Sequence, residues 1–194
     1  MTDPRLAAVM AWGKALRAQK LARLRLRRRC CLGLGALVLS LGASIVFPPR
    51  PRLVWNASAS APIGLYRVMP GAHLARGDMV IAWAPYPARL LAARRNYLPF
   101  NVPLVKTVVG VPGDIICARD GAILVNGRLV AQRQARDGAG RPLPRWRGCE
   151  GLGPTRFLLL MEAAPSSFDG RYFGSSERAD IIGRATLLWG GSGT

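Results

Sequence analysis

The sequence is nearly without histidine, since His73 is the only one in 194 residues. A Ser-His-Asp triad would have to use it, but no matching motif surrounds it, so we expect His73 to be an ordinary surface-loop residue. The four cysteines, at positions 30, 31, 117 and 149, lack the spacing of a zinc site. We therefore expect neither a bound metal nor another cofactor.

Charge is missing from one long stretch. Cys30–Phe47 is apolar and uncharged, and it meets the minimum of about 17–20 residues for spanning a bilayer core. The run Arg23–Arg29 abuts it, so the positive-inside rule places residues 1–29 in the cytoplasm and residues 48–194 outside. A cleaved secretory signal is the alternative, although the prolines that follow suit a cleavage site poorly. A buried soluble helix fits the basic flank less well, so residues 30–47 are predicted to be an uncleaved transmembrane anchor.

Acidic residues are also scarce, at 10 against 28 lysines and arginines, for a formal net charge of +18. Such a charge suits nucleic acid or an anionic membrane surface. Residues 1–29 hold nine of the basic residues against Asp3 alone. No DNA-reading motif is present, so we expect no nucleic-acid partner. This basic segment is predicted to form a cytoplasmic helix suited to anionic lipid headgroups.

Lysine is the rare basic residue. Only three of the 28 basic residues are lysines, and Lys106 is the single one after the apolar run. Arginine stays protonated at any working pH, whereas burial can lower the pKa of a lysine amine until it serves as a base. Lys106 lies in the apolar segment Leu104–Val111, which indicates a functional amine. Chance, or a lysine that extends to the surface, is the alternative.

The outer region consists of many short apolar segments separated by turn signals, with little helix. We predict strands at 53–55, 79–84, 104–111, 115–118, 123–125, 129–131, 157–161 and 181–189, and a short helix at 88–95. Asn126-Gly127 indicates a hairpin. Residues 132–153 and 166–176 are predicted to be surface loops. The pattern predicts one mostly β domain over residues 48–194.

The stretch Asn56–Tyr66, NASASAPIGLY, is a loop of small residues that contains the candidate nucleophile Ser60. Pro62 favours an extended conformation at the residue before it, and Gly64 permits a turn. Composition alone would make this an ordinary loop.

Cys117 and Cys149 both fall on the outer side of the predicted anchor, where oxidation is allowed. A disulfide between them would close a loop of about 32 residues and stabilise the fold by roughly 3–4 kcal/mol. We predict this disulfide, with two separate buried thiols as the alternative.

Several motifs in the outer region resemble those of type I signal peptidases. The lysine motif of that family is similar to Leu104–Asp114, LVKTVVGVPGD. Its glycine-aspartate strand motif is similar to Arg76–Ile81, RGDMVI. Its last motif resembles Ser167–Gly174 together with the later IGRA (182–185). The stretch Asn56–Tyr66 is similar to the serine motif of TraF-type peptidases of conjugative plasmid transfer. The segments RNYL (95–98) and GRPLP (140–144) with Cys149 also resemble that branch. The resemblance covers residues 53–189.

The resemblance implies a membrane-anchored serine endopeptidase with the mostly β signal-peptidase fold. It implies Ser60 as nucleophile, Lys106 as general base, Ser58 as oxyanion donor beside the Ser60 backbone N–H, Ser167 as the hydroxyl that orients the lysine, and Asp169 with Arg171 as a structural pair. The sequence departs from the family at Thr107, where arginine is common, at Ala61, where methionine is common in leader peptidases, and at Gly170, where serine is common. None of these departures removes the Ser-Lys dyad, and the change at Gly170 is expected not to touch the chemistry.

The same resemblance implies a substrate and a location. TraF-type peptidases process a membrane-bound pilin precursor, in some cases with cyclisation of the product, and the catalytic domain would be periplasmic. A general type I leader peptidase is the alternative. A non-catalytic basic envelope component of a transfer apparatus is the remoter one. The oligomeric state, the cleavage sequence and the purpose of residues 1–29 stay open at this point.

Overall fold

The computed structural model describes residues 4–46 and 51–190 of the chain. The chain divides into two compact units, Met1–Pro49 and Arg50–Thr194. The first contains one helix, α1, over Pro4–Val46. Its sequence is rich in alanine, leucine and arginine, which are strong helix formers, and a proline is tolerated at a helix start because no N–H partner is needed there.

Part of α1 has the character of a membrane span. Gln19–Val46 is long and apolar enough to cross a bilayer, by length and composition, and a signal sequence would pass the same test. The predicted anchor ended at Phe47, and this residue lies outside the described residues, as do Pro48 and Pro49.

The second unit is mostly β, as predicted from the sequence. Its strands are β1 Leu53–Asn56, β2 Gly64–Met69, β3 Met79–Ala82, β4 Leu104–Gly110, β5 Ile115–Arg119, β6 Ala122–Val125, β7 Arg128–Gln132, β8 Gly148–Gly151, β9 Arg156–Leu160, β10 Ser176–Glu177 and β11 Ile181–Gly190. Its helices are α2 Tyr86–Arg94 and α3 Gly170–Phe173, with a 3₁₀ turn at Arg178–Asp180.

The strands form two sheets. The larger has the order β1-β2-β11-β3-β4-β9-β10, and the smaller has the order β7-β6-β5-β8. Asn126 and Gly127 join β6 to β7 with positive φ at both residues, 50° and 80°, which is the backbone that a two-residue hairpin turn requires. The predicted hairpin is therefore present.

Strands in the middle of the larger sheet are covered on both faces. Along β9, Phe157 and Leu159 pack with Val80 and Val108 in one apolar cluster. The intervening Leu158 and Leu160 pack into a second cluster with residues of the smaller sheet. Because successive side chains of a strand point to opposite faces, a run of apolar residues here indicates burial on both sides. β4 lies between β3 and β9 in this part of the sheet.

One ion pair joins the ends of β3 and β5. Arg76, before β3, donates to both carboxylate oxygens of Asp114, at 2.8 and 2.6 Å. Asp114 also accepts from Asn126 Nδ2 at 2.8 Å and from Val111 N at 2.7 Å. These bonds hold the pKa of Asp114 below its usual value against the raising effect of burial. The turn after β4 is thereby fixed from three sides.

The structure corrects several predicted boundaries. Gly64–Met69 is a strand paired with both β1 and β11, although its first three residues were treated as the end of the serine loop and the rest were given no strand. The loops predicted at 132–153 and 166–176 contain β8 and α3. The helix α2 starts two residues earlier than predicted, at Tyr86, because a proline is tolerated in the first turn of a helix.

Candidate functional site

The serine loop is held in shape by one buried asparagine at its start. The Asn56 amide nitrogen lies within hydrogen-bonding distance of three backbone oxygens, those of Ser58, Ala61 and Pro62, at 3.0, 3.2 and 3.0 Å. Its Oδ1 accepts from Ser58 N at 3.1 Å. Only 7% of Asn56 is exposed. The side chain thus replaces the hydrogen bonds that secondary structure would otherwise supply to this loop.

A second contact fixes the far end of the loop. The buried Tyr66 of β2 donates its hydroxyl hydrogen bond to Pro62 O at 2.7 Å. β2 itself can pair closely with β11 because Gly64 has no side chain: a Cβ there would lie 2.2 Å from Trp189 O. The loop that carries Ser60 is therefore held between Asn56 and Tyr66.

Lys106 lies on β4, directly opposite Val80 of β3, and only 3% of it is exposed. Its amine makes two contacts, with Ser167 Oγ at 2.9 Å and with Ser60 Oγ at 3.3 Å. The structure therefore brings the two predicted catalytic residues and the predicted supporting serine together. A distance of 3.3 Å without substrate is compatible with proton transfer, since such contacts tighten in the substrate complex.

Burial sets the proton affinity of this amine. It lowers the pKa of Lys106 to about 8, and the positive charge of Arg171 lowers it too, whereas the negative charge of Asp169 acts in the opposite direction. An ordinary lysine side chain has a pKa near 10.4. At mildly alkaline pH a large fraction of Lys106 is consequently neutral and able to accept a proton.

The segment 161–171 holds Ser167 against the lysine. Asp169 accepts from Met161 N at 3.0 Å and from Arg171 N at 3.1 Å. The buried Arg171 guanidinium lies 3.2 Å from Asp169 Oδ1 and donates to the backbone oxygens of Pro165, at 2.8 Å, and Met161. Both ends of the turn that carries Ser167 are thus tied to one buried pair. The predicted structural pair is present next to the site.

Asp169, the acidic member of this pair, is fully buried. Burial raises the pKa of its carboxyl, and the nearby charges of Arg171 and Lys106 oppose this rise. Thr107, which follows the lysine where the family often has arginine, contacts Met161 Sδ at 3.7 Å through its hydroxyl. Arg171 is the cation that forms an ion pair with Asp169.

Two hydrogen-bond donors converge beside the Ser60 hydroxyl. Ser58 Oγ lies 3.0 Å from Ser60 Oγ and accepts from Ser60 N at 3.4 Å. The Ser60 N–H and the Ser58 hydroxyl thus lie side by side, next to Ser60 Oγ. This arrangement can hold the negative oxygen of a tetrahedral intermediate.

The structure explains why position 170 is a glycine, which the sequence alone did not show. A Cβ at this position would lie 2.8 Å from Leu158 Cδ1 and 2.9 Å from Leu159 O. Its carbonyl oxygen accepts from Trp146 Nε1 at 3.0 Å. The glycine thus lets α3 approach β9 closely and connects the site to the segment before β8. The expectation that the position has no part in the chemistry is compatible with these contacts.

Ser60 and Lys106 lie where two cavities meet. Both cavities, of about 410 and 510 Å³, are lined by Ser60 and Lys106. They also share four further lining residues, Ser58, Tyr97, Leu98 and Leu104. The larger one runs towards the segment 99–105, and the smaller one is closed by residues from 134–143 and 164–172. A polypeptide lying across both would bring one of its peptide bonds to Ser60.

The wall of the smaller cavity includes a carboxylate that the sequence analysis did not find. Asp137, with a side chain only 7% exposed, accepts from the Tyr97 hydroxyl and from Arg141 Nε at 2.7 Å and Arg141 N at 2.8 Å. The Tyr97 hydroxyl, aided by Arg141, holds the pKa of Asp137 well below its usual range. Residues 134–143 are thereby fastened to the segment after α2. No local pattern could have found this pair, since Tyr97 and Asp137 are 40 residues apart.

The predicted disulfide is present. Cys117 and Cys149 are direct cross-strand partners in β5 and β8 and are joined by a disulfide. It fixes the end of the segment 133–147, which has little regular structure of its own.

Comparisons with known proteins identify the family of the chain. The family described as signal peptidase, peptidase S26, matches residues 27–190. The chain is 31% identical over 177 residues to the plasmid transfer protein TraF of Escherichia coli, which covers 85% of this chain and 97% of that protein. It is 33% identical over 164 residues to the conjugal transfer protein TraF of Agrobacterium fabrum, covering 79% of this chain and 90% of that one.

A signal peptidase I of Leptolyngbya laminosa is 29% identical over 112 residues, which is 58% of this chain and 51% of that protein. The coverage is thus greater for the TraF proteins than for this leader peptidase. The chain belongs to the signal peptidase family, peptidase S26, and is related over most of its length to the TraF proteins of plasmid transfer.

Proposed function

We propose that this chain is a membrane-anchored serine endopeptidase with a Ser60–Lys106 dyad, which processes a pilin precursor for conjugative transfer. The observation that carries the proposal is the buried Lys106 amine, which lies 3.3 Å from Ser60 Oγ and has a pKa lowered to about 8. The family supports peptidase chemistry. The names of the TraF relatives support a place in plasmid transfer.

In the first step the neutral Lys106 amine takes the proton of the Ser60 hydroxyl as Ser60 Oγ attacks the carbonyl carbon of the scissile peptide. The negative charge that develops on the carbonyl oxygen is held by the Ser60 N–H and the Ser58 hydroxyl. Lys106 then gives the proton to the leaving amine, and an acyl-enzyme on Ser60 remains. Ser167 keeps the amine directed at Ser60 during both transfers.

The acyl-enzyme is released by a second nucleophile. Water activated by Lys106 gives a linear product with a free carboxyl group. An amine of the same precursor would instead give a new peptide bond and a cyclic product, which the TraF resemblance leads us to include in the proposal. The two products differ by the mass of one water molecule.

The sequence of α1 supports a placement for the enzyme. Arg23–Arg29 precede the most apolar part of the helix, and the positive-inside rule favours a cytoplasmic N-terminus with the peptidase unit in the periplasm. In this arrangement the site would act on a precursor that is itself held in the lipid bilayer.

The test is co-expression with the major pilin precursor of the same transfer system, followed by the mass of the product. Ser60→Ala and Lys106→Arg should each abolish processing while the protein still accumulates in the membrane. Thr186→Ala, an exposed hydroxyl on β11, and Lys20→Arg on α1 are the matched controls and should process normally. Full activity of Lys106→Arg would rule out the lysine as general base.

A general leader peptidase is the other candidate. Release of a signal sequence from unrelated exported proteins by this enzyme, without cleavage of the pilin precursor, would favour that function.

A further inference from the structure

Four arginines line a cavity of about 570 Å³ beside the catalytic cleft. Arg119 ends β5, Arg133 follows β7, and Arg145 and Arg147 lie in the segment before β8. Asp120 is the one acidic residue among the lining residues that the structure describes. These four residues are here called the arginine cluster.

No carboxylate neutralises the arginine cluster within the described part of the chain. Across residues 51–190, the ion pairs use Arg76, Arg95, Arg141, Arg156 and Arg171, and none uses a member of the cluster. Burial lowers the pKa of Arg133, and the positive charges of Arg145 and Arg147 lower it further. Like charges held close together destabilise the protein unless an anion binds between them.

Two members of the cluster are held by contacts with the fold. The Arg133 guanidinium donates to Trp146 O at 3.0 Å and to Arg171 O at 3.3 Å. Arg119 contacts Cys149 Sγ at 3.7 Å. The disulfide that joins β5 to β8 lies two residues from Arg119 and two from Arg147, so the backbone that carries both arginines is fixed. A guanidinium group that is already held loses little entropy when it binds an anion.

The cavity adjoins the catalytic cleft. Gln134 lines both the arginine cavity and the cavity that contains Ser60 and Lys106. Its backbone N–H donates to the Tyr172 hydroxyl at 3.3 Å, so this shared wall is fixed. A chain that lies in the cleft can continue past Gln134 into the arginine cavity.

We propose that the arginine cluster binds acidic side chains of the polypeptide whose scissile bond lies at Ser60. Guanidinium groups pair with carboxylates through two parallel hydrogen bonds, which gives orientation as well as affinity. Because the arginine cavity shares the Gln134 wall with the cleft, its ligand is better explained as part of a peptide that also lies in the cleft than as a separate small anion. The inference rests on the proposed function in one respect, namely that the cleft holds a polypeptide.

The first experiment measures binding directly. Fluorescein-labelled hexaglutamate is titrated with the purified full-length protein in a neutral detergent, and hexaglutamine serves as the uncharged comparison. We expect hexaglutamate to bind more tightly. The double variant Arg145→Gln/Arg147→Gln should weaken its binding by about tenfold, because two close charge pairs are lost.

The control carries the same change in net charge. Arg67→Gln/Arg128→Gln removes two exposed arginines that do not line the cavity, and binding of hexaglutamate should stay within about twofold of the unmodified protein. If both double variants bound hexaglutamate equally weakly, the effect would be explained by net charge alone and the proposal would be overturned.

Two further arms separate the sources of the anion. Inorganic phosphate and phosphatidylglycerol vesicles are each offered as competitors. Vesicle binding that needs Arg145 and Arg147, without hexaglutamate binding, would assign the cluster to a lipid surface and overturn the proposal.

A last arm separates this inference from the proposed function. Ser60→Ala should bind hexaglutamate as the unmodified protein does. If the pilin precursor is not processed but hexaglutamate binding depends on Arg145 and Arg147, the proposed function fails while the acidic-peptide site stands. If the precursor is processed and its KM is the same in the Arg145→Gln/Arg147→Gln variant, whether or not hexaglutamate binds, the substrate does not use the cluster and the inference is wrong.

Discussion

The two halves of the dyad are held in opposite ways. Ser60 lies in a partly exposed loop whose shape depends on a handful of local hydrogen bonds, most of them to Asn56. Lys106 lies on a strand between two others and is only 3% exposed. The nucleophile therefore depends on a local polar network, whereas the base depends on the burial that the whole sheet provides. Four substitutions or titrations can separate these two kinds of support.

The largest effect is expected at the lysine. Lys106→Met should reduce peptide cleavage by more than about 10³-fold, since among the described residues Lys106 is the one titratable group hydrogen-bonded to Ser60 Oγ. The same variant should be more stable at pH 7, by roughly 1–3 kcal/mol, because a buried amine with a lowered pKa destabilises the folded state while it is charged.

The sign of this stability effect depends on pH. The pKa of Lys106 is about 8 in the folded protein, against a value of 10.5 for a free side chain. The unfolded chain binds the extra proton between these two values, so the stability of the unmodified protein rises as the pH increases from about 8 to 10.5. The advantage of Lys106→Met should consequently be largest below pH 8 and fade above 10. Thermal unfolding at pH 7 and pH 10.5 measures it, and a less stable variant at pH 7 would contradict the burial argument.

The next largest effect is expected at the oxyanion donor on the serine loop. Ser58→Ala should lower kcat by about 10²–10³-fold with little change in KM, because the donor acts on the transition state. Ser58 is exposed, so the fold should be unaffected. Ser58→Thr keeps the hydroxyl and should restore much of the activity. An alanine variant with normal kcat would remove Ser58 from the mechanism.

Titration tests the lysine side without a mutation. Below pH 8 the neutral fraction of Lys106 falls about tenfold for each unit of pH, so kcat/KM should rise with pH and level off above about 8. Initial rates on one peptide substrate between pH 6 and 9.5 give the profile. A rate that is constant across this range, with the chemical step shown to be limiting, would exclude Lys106 as the base.

The smallest effect is expected at the support of the serine loop. Asn56→Ala removes the side chain that bonds four backbone groups, and it should cost about 1–3 kcal/mol of stability and roughly tenfold in activity. Asn56→Asp keeps the shape but turns an acceptor towards three carbonyl oxygens, and it should be at least as damaging. Asn101→Ala, at an exposed position, is the control. Unfolding and cleavage assays that show no change would mean that the loop is held by other contacts.

These contrasts also explain what the sequence could reveal. The outer lysine was found because it interrupts an apolar strand in a chain that otherwise uses arginine, and the family motifs linked it to Ser60. The sheet was foreseen because strands buried on both faces leave continuous apolar runs, such as Phe157–Leu160. β2 was missed because its first residues, Gly64–Tyr66, belong to the serine motif and were assigned to the loop.

The remaining parts of the site depend on contacts between distant residues. Asn56 has the sequence signature of a turn residue, and its three acceptors become evident only when the loop is folded around it. Asp137 and three of the four clustered arginines, at positions 133, 145 and 147, lie in a polar, glycine-rich segment that predicts a solvent-exposed loop. The contacts of Asp137 with Tyr97 and of Arg133 with Arg171 join residues 40 and 38 positions apart, so no local sequence pattern could predict them.

The disulfide between Cys117 and Cys149 affects what happens when another protease cleaves this chain. It closes a covalent ring that contains β6, β7 and the whole irregular segment with Asp137 and the arginine cluster. A single nick anywhere in that segment, for example at exposed Gly138 or Gly140, leaves both fragments covalently attached. The nicked chain would run as one piece on a non-reducing gel and as two after reduction. A part of the peptidase that looks most open to attack can therefore be cut without being lost.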